Sequence, residues 1–154
     1  MKMPRIGTDT ARVLYTAEGT VTGGRANGHG RTNDGALDVQ LRSPKELGGE
    51  GGGTNPEQLF AVGYAACFES ALGVVGRRER VEVGDVSIRS RVSLLPTAER
   101  GFTLGVQLDI TLPQVSDPEQ AAHLVAAAHR VCPYSNATRG NIEVTLTANG
   151  RNVD

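Results

Sequence analysis

The sequence predicts an α+β fold in the order β-β-β-α-β-β-α-β, antiparallel sheets carrying two main helices. Three stretches of the 154-residue chain predict it. Phe102, Leu104, Val106, Leu108, Ile110 and Leu112 alternate with polar or small residues without a break, the period-two signature of a strand. Thr54–Gly76 is apolar or small on most of a helical circumference, the pattern of a helix buried on most sides. Ser116–Val131 opens with a serine cap, Pro118 in the first turn and Glu119 at the capping-box position. Strands followed by a helix, twice over, place helices against antiparallel sheet.

The elements follow in order. Leu14–Thr22 alternates like a strand after a loose arm over Met1–Arg12. Gly23-Gly24-Arg25-Ala26-Asn27-Gly28 is a glycine-rich bend that projects an arginine. Gly28–Thr32 and Leu37–Leu41 are strands joined by Asn33-Asp34-Gly35, a hairpin-type turn. Gly48–Gly53 cannot be helical and reads as a flexible approach to the central helix. There Asn55 caps, Pro56 fits the first helical position and Gln58 closes a capping box, and the helix ends around Gly76. Val86, Ile88, Val92 and Leu94 share one face of Asp85–Leu95, which pairs with Phe102–Leu112 across the Pro96–Gly101 loop. Cys132-Pro133 interrupts the second helix, because proline disfavours helical backbone in the residue before it. Tyr134–Arg139 adds one more turn, and Ile142–Thr147 is the last strand. No linker divides the chain, so residues 1–154 read as a single domain.

Composition excludes several functions. A net charge of −1 gives no reason for nucleic acid or an anionic membrane as partner. No apolar run approaches the ~18 residues of a membrane span, and no apolar stretch at the amino terminus resembles a signal peptide. The expected setting is cytoplasmic, where two cysteines that pair are redox-active rather than structural. Zinc is a poor explanation, since Cys67 and Cys132 form no C-x-x-C pair and His129-x-x-Cys132 with His123 lacks a second close pair. Both His123 and His129 read as solvated or capping residues near a helix C-terminus.

Cys67 stands at the centre of the apolar helix. By itself that makes it either an inert core residue or, with an activating neighbour, a nucleophile. No histidine has motif context around either cysteine, which leaves arginine as activator, because a guanidinium stays charged in a dry site and holds a thiolate by charge-assisted hydrogen bonds. Such an arginine needs an anion. Glu57 is a candidate, with the alternative that it only complements the helix dipole. Glu57 and Cys67 are ten residues apart. That spacing is about 15 Å along a helix axis and about 80° around it. They cannot share a site within one straight helix, so meeting requires two copies of the helix packed antiparallel.

The segments N-P-E-Q-L-F-A-V-G-Y-A-A-C-F (Asn55–Phe68), V-C-P-Y-S-N-A-T-R-G-N-I (Val131–Ile142) and Y-T-A-E-G-T-V-T-G-G-R (Tyr15–Arg25) closely resemble the organic hydroperoxide resistance (Ohr) proteins, a branch of the OsmC/Ohr superfamily of thiol-dependent peroxidases. The resemblance runs from about Leu14 to Gly150. It implies an OsmC/Ohr-like fold and an intertwined homodimer with active sites at the interface. It implies Cys67 as the peroxidatic cysteine, Cys132 as the resolving one, Arg25 as the arginine on the thiolate and Glu57 as the carboxylate that orients it. The implied activity is reduction of organic hydroperoxides, in defence against oxidative stress. No bound cofactor is implied; the reductant is dihydrolipoamide or a lipoylated protein, regenerated by lipoamide dehydrogenase. Phe60, Tyr64 and Phe68 lie near Cys67 in sequence and either line an apolar pocket or fill the core. The competing reading is a non-enzymatic binding domain or redox sensor on the same scaffold.

Overall fold

The computed structural model describes residues 12–154, so the arm expected at the amino terminus lies, save Arg12, outside the described residues. The chain groups into two compact units, the first ending at Asn55 and the second running from Pro56 to Asp154.

The first unit is a three-stranded antiparallel meander of β1 (Gly19–Thr22), β2 (Asn27–Thr32) and β3 (Asp38–Arg42), in chain order. Pairing starts at Gly19↔Thr32, not at Leu14, and residues 14–18 are not strand. Leu14 and Tyr15 are 89% and 80% exposed, with no neighbouring strand of this sheet beyond Thr32 to pair with. The β1–β2 turn is tight. Gly23 and Gly24 take φ of 80° and 64°, and a Cβ on Gly28 would stand 1.9 Å from the Gly24 carbonyl oxygen. In the second turn the Asp34 carboxylate accepts from Thr32 Oγ1 and the Ala36 N–H, which together hold it below the usual aspartate value. The glycine-rich approach is tied back to β3, where Thr54 N–H donates to the Gln40 carbonyl at 2.9 Å.

The second unit is built on α1 (Pro56–Glu79), followed by β4 (Ser87–Pro96), β5 (Phe102–Thr111), α2 (Pro118–Val131), α3 (Pro133–Thr138), β6 (Val144–Ala148) and β7 (Arg151–Val153). Pro56 takes the first helical position of α1, where its missing N–H costs nothing. The helix does not end at Gly76 but runs on to Glu79, and Arg80 turns left-handed at φ 57° while Val81 N–H reaches back to the Gly76 carbonyl. That six-residue closure satisfies an end carbonyl of the helix. Gly76 serves a different purpose: a Cβ there would meet the Val81 carbonyl oxygen at 2.9 Å and Val83 at 3.2 Å, so the exit chain folds over it. Over an 18-residue window α1 has mean hydropathy 1.6, long and apolar enough by length and composition to cross a membrane. The absence of such a run expected above is therefore corrected; Gly63, Ala65, Ala66, Cys67 and Ala71 sustain the hydropathy without bulk. Tyr64, Phe68, Ala71, Leu72 and Val75 bury one face of α1 in the core of this unit.

The sheet runs β4-β5-β6-β7 and is mixed. β4 and β5 pair antiparallel from Ser87↔Thr111 to Pro96↔Phe102, but β6 lies parallel to β5, Val106↔Val144 to Ile110↔Ala148. The purely antiparallel expectation fails here because the α2–α3 crossover carries the chain back before β6 begins. Asp117, not Ser116, caps α2, its carboxylate accepting from Glu119 N–H, since Pro118 sets the first helical position. An unforeseen hairpin closes the chain: Asn149 and Gly150 take φ of 49° and 85° between β6 and β7. The Asn149 amide then pins the end of β5, accepting from Leu112 N–H at 2.7 Å and donating to the Leu112 and Val115 carbonyls.

The inward face of β4 and β5 carries Ile88, Val92, Val106, Leu108 and Ile110 into the core, with Ser90 among them opposite Leu108. Ser90 Oγ is buried without a hydrogen-bond partner. A stranded hydroxyl costs about 1–3 kcal/mol. Ser90→Ala is expected to raise the unfolding free energy by about 1 kcal/mol, read as a higher urea midpoint at unchanged slope; a lower midpoint would show that the hydroxyl has a partner.

Candidate active site

Cys67 and Cys132, 65 positions apart in sequence, meet in the second unit. α1 places Cys67 one turn after Tyr64, partly buried at the edge of the core, so the full burial expected from the apolar helix is not reached. Cys132 sits at the α2–α3 junction, fully buried, with extended backbone (φ −62°, ψ 124°) that Pro133 enforces. Both its backbone groups are satisfied across the break: its N–H donates to the Ala128 carbonyl at 2.8 Å and its carbonyl accepts from Asn136 N–H at 3.0 Å. Both cysteines are free thiols.

Three influences act on the Cys67 thiol. Burial pushes it up from the ordinary cysteine value, the Tyr134 N–H pulls it down by donating to the sulfur, and the adjacent Cys132 thiol raises it again. The net direction is upward. These influences together favour the thiol; a nearby cation is what would favour the thiolate.

The residue after Pro133 has a second role. The Tyr134 ring lies 5.7 Å from Phe60 and 5.5 Å from Tyr64, with Phe60 and Tyr64 edge-on at 6.0 Å. Gly63 makes room for it, because a Cβ there would come within 2.8 Å of the Tyr134 hydroxyl. Of the three aromatics named from sequence, Tyr64 and Phe68 are wholly buried and Phe60 is half-buried. Tyr134, 37% exposed, is the aromatic that sequence reasoning passed over. Its place in the V-C-P-Y-S-N-A-T-R-G segment was the available signal.

His129 was expected to be solvated or capping, and it is neither. It is half-buried, and its Nδ1 lies 2.8 Å from Ser135 Oγ, which in turn lies 2.8 Å from the Tyr64 hydroxyl. The α2 end is capped by Arg139, which donates to the His129 carbonyl and to Asn136 Oδ1. His123 is exposed and pairs with Glu79 at 2.6 Å, joining α2 to the end of α1.

Glu57 stands in the first turn of α1. Because α1 is one continuous helix, the separation of about 15 Å from Cys67 at 1.5 Å per residue holds. Arg25 belongs to the first unit, at the β1–β2 turn. Among the described residues no group of three or more His, Cys, Asp or Glu side chains is placed to hold a metal.

A profile of the family described as OsmC-like protein matches residues 49–147. The organic hydroperoxide resistance protein of Xanthomonas axonopodis pv. citri (strain 306) is 53% identical over 138 residues, covering 88% of this chain and 95% of the relative. A crystal structure of an organic hydroperoxide resistance protein OsmC from Legionella pneumophila superposes with a TM-score of 0.84 at 54% identity, covering 88% of this chain and 97% of that one. Bacillus subtilis OhrB follows with a TM-score of 0.79 at 47% identity, covering 87% and 98%. The chain therefore belongs to the OsmC-like family, in its organic hydroperoxide resistance (Ohr) branch.

Burial holds the His129 imidazole below its ordinary value, and the Arg139 and Arg130 charges act in the same direction. The unfolded chain thus takes up this proton first as pH falls through ~6.5, so the histidine leaves stability untouched above that pH and lowers it below. Urea midpoints at pH about 7.5 and about 5.5 are expected to fall further for the wild type than for His129→Asn, which does not titrate there. Equal falls in the two proteins would remove His129 from the pH dependence.

Proposed function

We propose that this protein is a two-cysteine thiol peroxidase that reduces organic hydroperoxides to alcohols in defence against oxidative stress. The observation that carries the reading is the meeting of two reduced thiols from distant parts of the chain, Cys67 accepting from the Tyr134 N–H and touching Cys132. The names of the family's members supply the substrate class.

In this reading the Cys67 thiolate attacks the outer peroxide oxygen, the O–O bond breaks, and the alkoxide leaves as the alcohol after taking a proton. Cys67 is left as a sulfenic acid. Cys132 then attacks that sulfur, forming the disulfide and expelling hydroxide, which leaves as water with the Cys132 proton. Arg25 supplies the cation that favours the Cys67 thiolate and stabilises charge developing on the peroxide, and Glu57 orients it. Phe60 and Tyr134 form the apolar wall that favours an organic substrate over hydrogen peroxide. A dithiol reopens the disulfide by exchange; dihydrolipoamide on a lipoylated protein, kept reduced by lipoamide dehydrogenase, fits that step. The setting is cytoplasmic, where such a dithiol cycle stays reduced.

The test is a non-reducing peptide map before and after one equivalent of tert-butyl hydroperoxide. A Cys67–Cys132 link within one chain is expected, with Arg25→Ala forming it far more slowly although the fold is intact. Two free thiols after treatment would return the protein to the binding-domain reading, and an unimpaired Arg25→Ala would take the arginine out of the mechanism.

The same reading calls for a homodimer. A rigid α1 keeps Glu57 about 15 Å from the Cys67 of its own helix, so the carboxylate serves another copy. Exposed apolar side chains support association: Val62 on α1 is 72% exposed, and Leu14, Tyr15 and Val21 are also uncovered. Sedimentation equilibrium is expected to return twice the chain mass of 16.2 kDa; a monomer at micromolar concentration would overturn the shared site.

A further inference from the structure

A chain of hydroxyls lies behind the two cysteines. His129 Nδ1 is 2.8 Å from Ser135 Oγ, Ser135 Oγ is 2.8 Å from the Tyr64 hydroxyl, and that hydroxyl is 3.2 Å from Thr138 Oγ1. Thr138 Oγ1 in turn donates to the Ser135 carbonyl at 3.2 Å. Tyr64, Ser135 and Thr138 are all buried.

Counting protons fixes the direction of this chain. Four contacts each need one proton, and three hydroxyls carry three. The fourth comes from the imidazole, so His129 donates from Nδ1. The Thr138 proton is committed to the Ser135 carbonyl, so Tyr64 donates to Thr138, and Ser135 therefore donates to Tyr64. One assignment alone satisfies every member: His129 to Ser135 to Tyr64 to Thr138 to the Ser135 carbonyl.

The members are placed one turn from each thiol. Tyr64 precedes Cys67 by three residues on α1, while His129 and Ser135 stand three residues before and three after Cys132. The chain therefore ties both flanks of the resolving cysteine to the helix turn that carries the peroxidatic one. We propose that Ser135 and His129 are positioning residues for disulfide closure, holding the α2–α3 junction so that Cys132 meets the Cys67 sulfenic acid. This rests on the two-cysteine reading above. Closure must bring the sulfurs from contact to about 2.05 Å with a defined torsion, a geometry that a loosened junction reaches less often. In the proposed mechanism peroxide attack on Cys67 rests on the Arg25 cation and takes from the junction only the Tyr134 side, its N–H and ring, whereas disulfide closure needs the junction to place the Cys132 sulfur itself. A loosened junction thus leaves the sulfenic acid standing long enough for a second hydroperoxide to oxidise it to sulfinic acid, the peroxide being reduced to alcohol.

The test uses full-length Ser135→Ala, His129→Leu and His129→Asn. Asparagine returns an N–H at the position of Nδ1, so it keeps the donor that the count requires. Two rates are followed: loss of one equivalent of tert-butyl hydroperoxide, and appearance of the disulfide by quenched non-reducing mass analysis. Ser135→Ala and His129→Leu are expected to consume the first equivalent within about twofold of wild type and to close the disulfide about fivefold to tenfold more slowly, the scale of one buried hydrogen bond. With excess peroxide they accumulate Cys67 sulfinic acid, and His129→Asn restores closure and prevents it. Wild-type closure in Ser135→Ala and His129→Leu would overturn the proposal, as would a His129→Asn variant as slow as His129→Leu. A wild-type protein that forms no disulfide would instead overturn the two-cysteine reading, which separates the two failures.

Discussion

The site depends on a helix break at which both backbone groups of Cys132 stay paired. Pro133 takes the preceding residue out of helical conformation, and a buried break of this kind ordinarily strands carbonyls and N–H groups. Here the Cys132 N–H still closes the last turn of α2 on Ala128, and its carbonyl already accepts the first bond of α3 from Asn136. The thiol is thereby turned out of both helices and towards α1 at no cost in backbone hydrogen bonding. Arg139 completes the junction by covering the His129 carbonyl at the α2 end. A buried cysteine whose N–H and carbonyl are both bonded is held in place, and that is what two sulfurs from distant parts of the chain need in order to meet.

Placement does not supply reactivity. Burial and the neighbouring thiol both work against a Cys67 thiolate, with the single N–H of Tyr134 opposing them. In the proposed mechanism the counterweight is a cation, the Arg25 guanidinium. Arg25 is presented on a tight turn: the two glycines before it are left-handed, and Gly28 packs too close to the Gly24 carbonyl to admit a side chain. In the proposed mechanism an arginine on a tight turn activates the cysteine that α1 holds in the core.

Most elements were legible because local signals dominate them. The unbroken alternation of Phe102–Leu112 became β5, and the proline after Cys132 ended α2 where expected. Failures came where a non-local partner or a backbone geometry decides. Nothing in Ile142–Thr147 tells that its neighbour runs parallel, since that is set by the crossover and not by the strand. Asn149-Gly150 carries a short-range hairpin signal, but the three strand residues that follow it are too few to announce a strand by alternation. Gly76 looked like a helix end, whereas it is a packing site under Val81 and Val83, and a non-glycine residue, Arg80, turns the corner. In the site, the cysteines were visible by type, and His129, Ser135 and Tyr134 were not. Their roles come from contacts across α1, α2 and α3 that no spacing within one segment encodes.

α1 shows why a single stretch could suggest so much. Its apolar character exceeds what one core needs: Tyr64, Phe68, Leu72 and Val75 fill the side facing the sheet, while Val62 on the other side lies open. A helix serving only this core would carry charge on its free face, as amphipathic surface helices do. Between Glu57 and Arg77, the free face of α1 offers only Glu69 as a charged residue. The surplus apolarity is the physical argument for a second copy, and it joins the geometric one, for the same straight helix that anchors Cys67 in the core carries Glu57 out of reach of it. Burial of one face and separation of Glu57 from Cys67 are thus consequences of one length of sequence, and both support the proposed association.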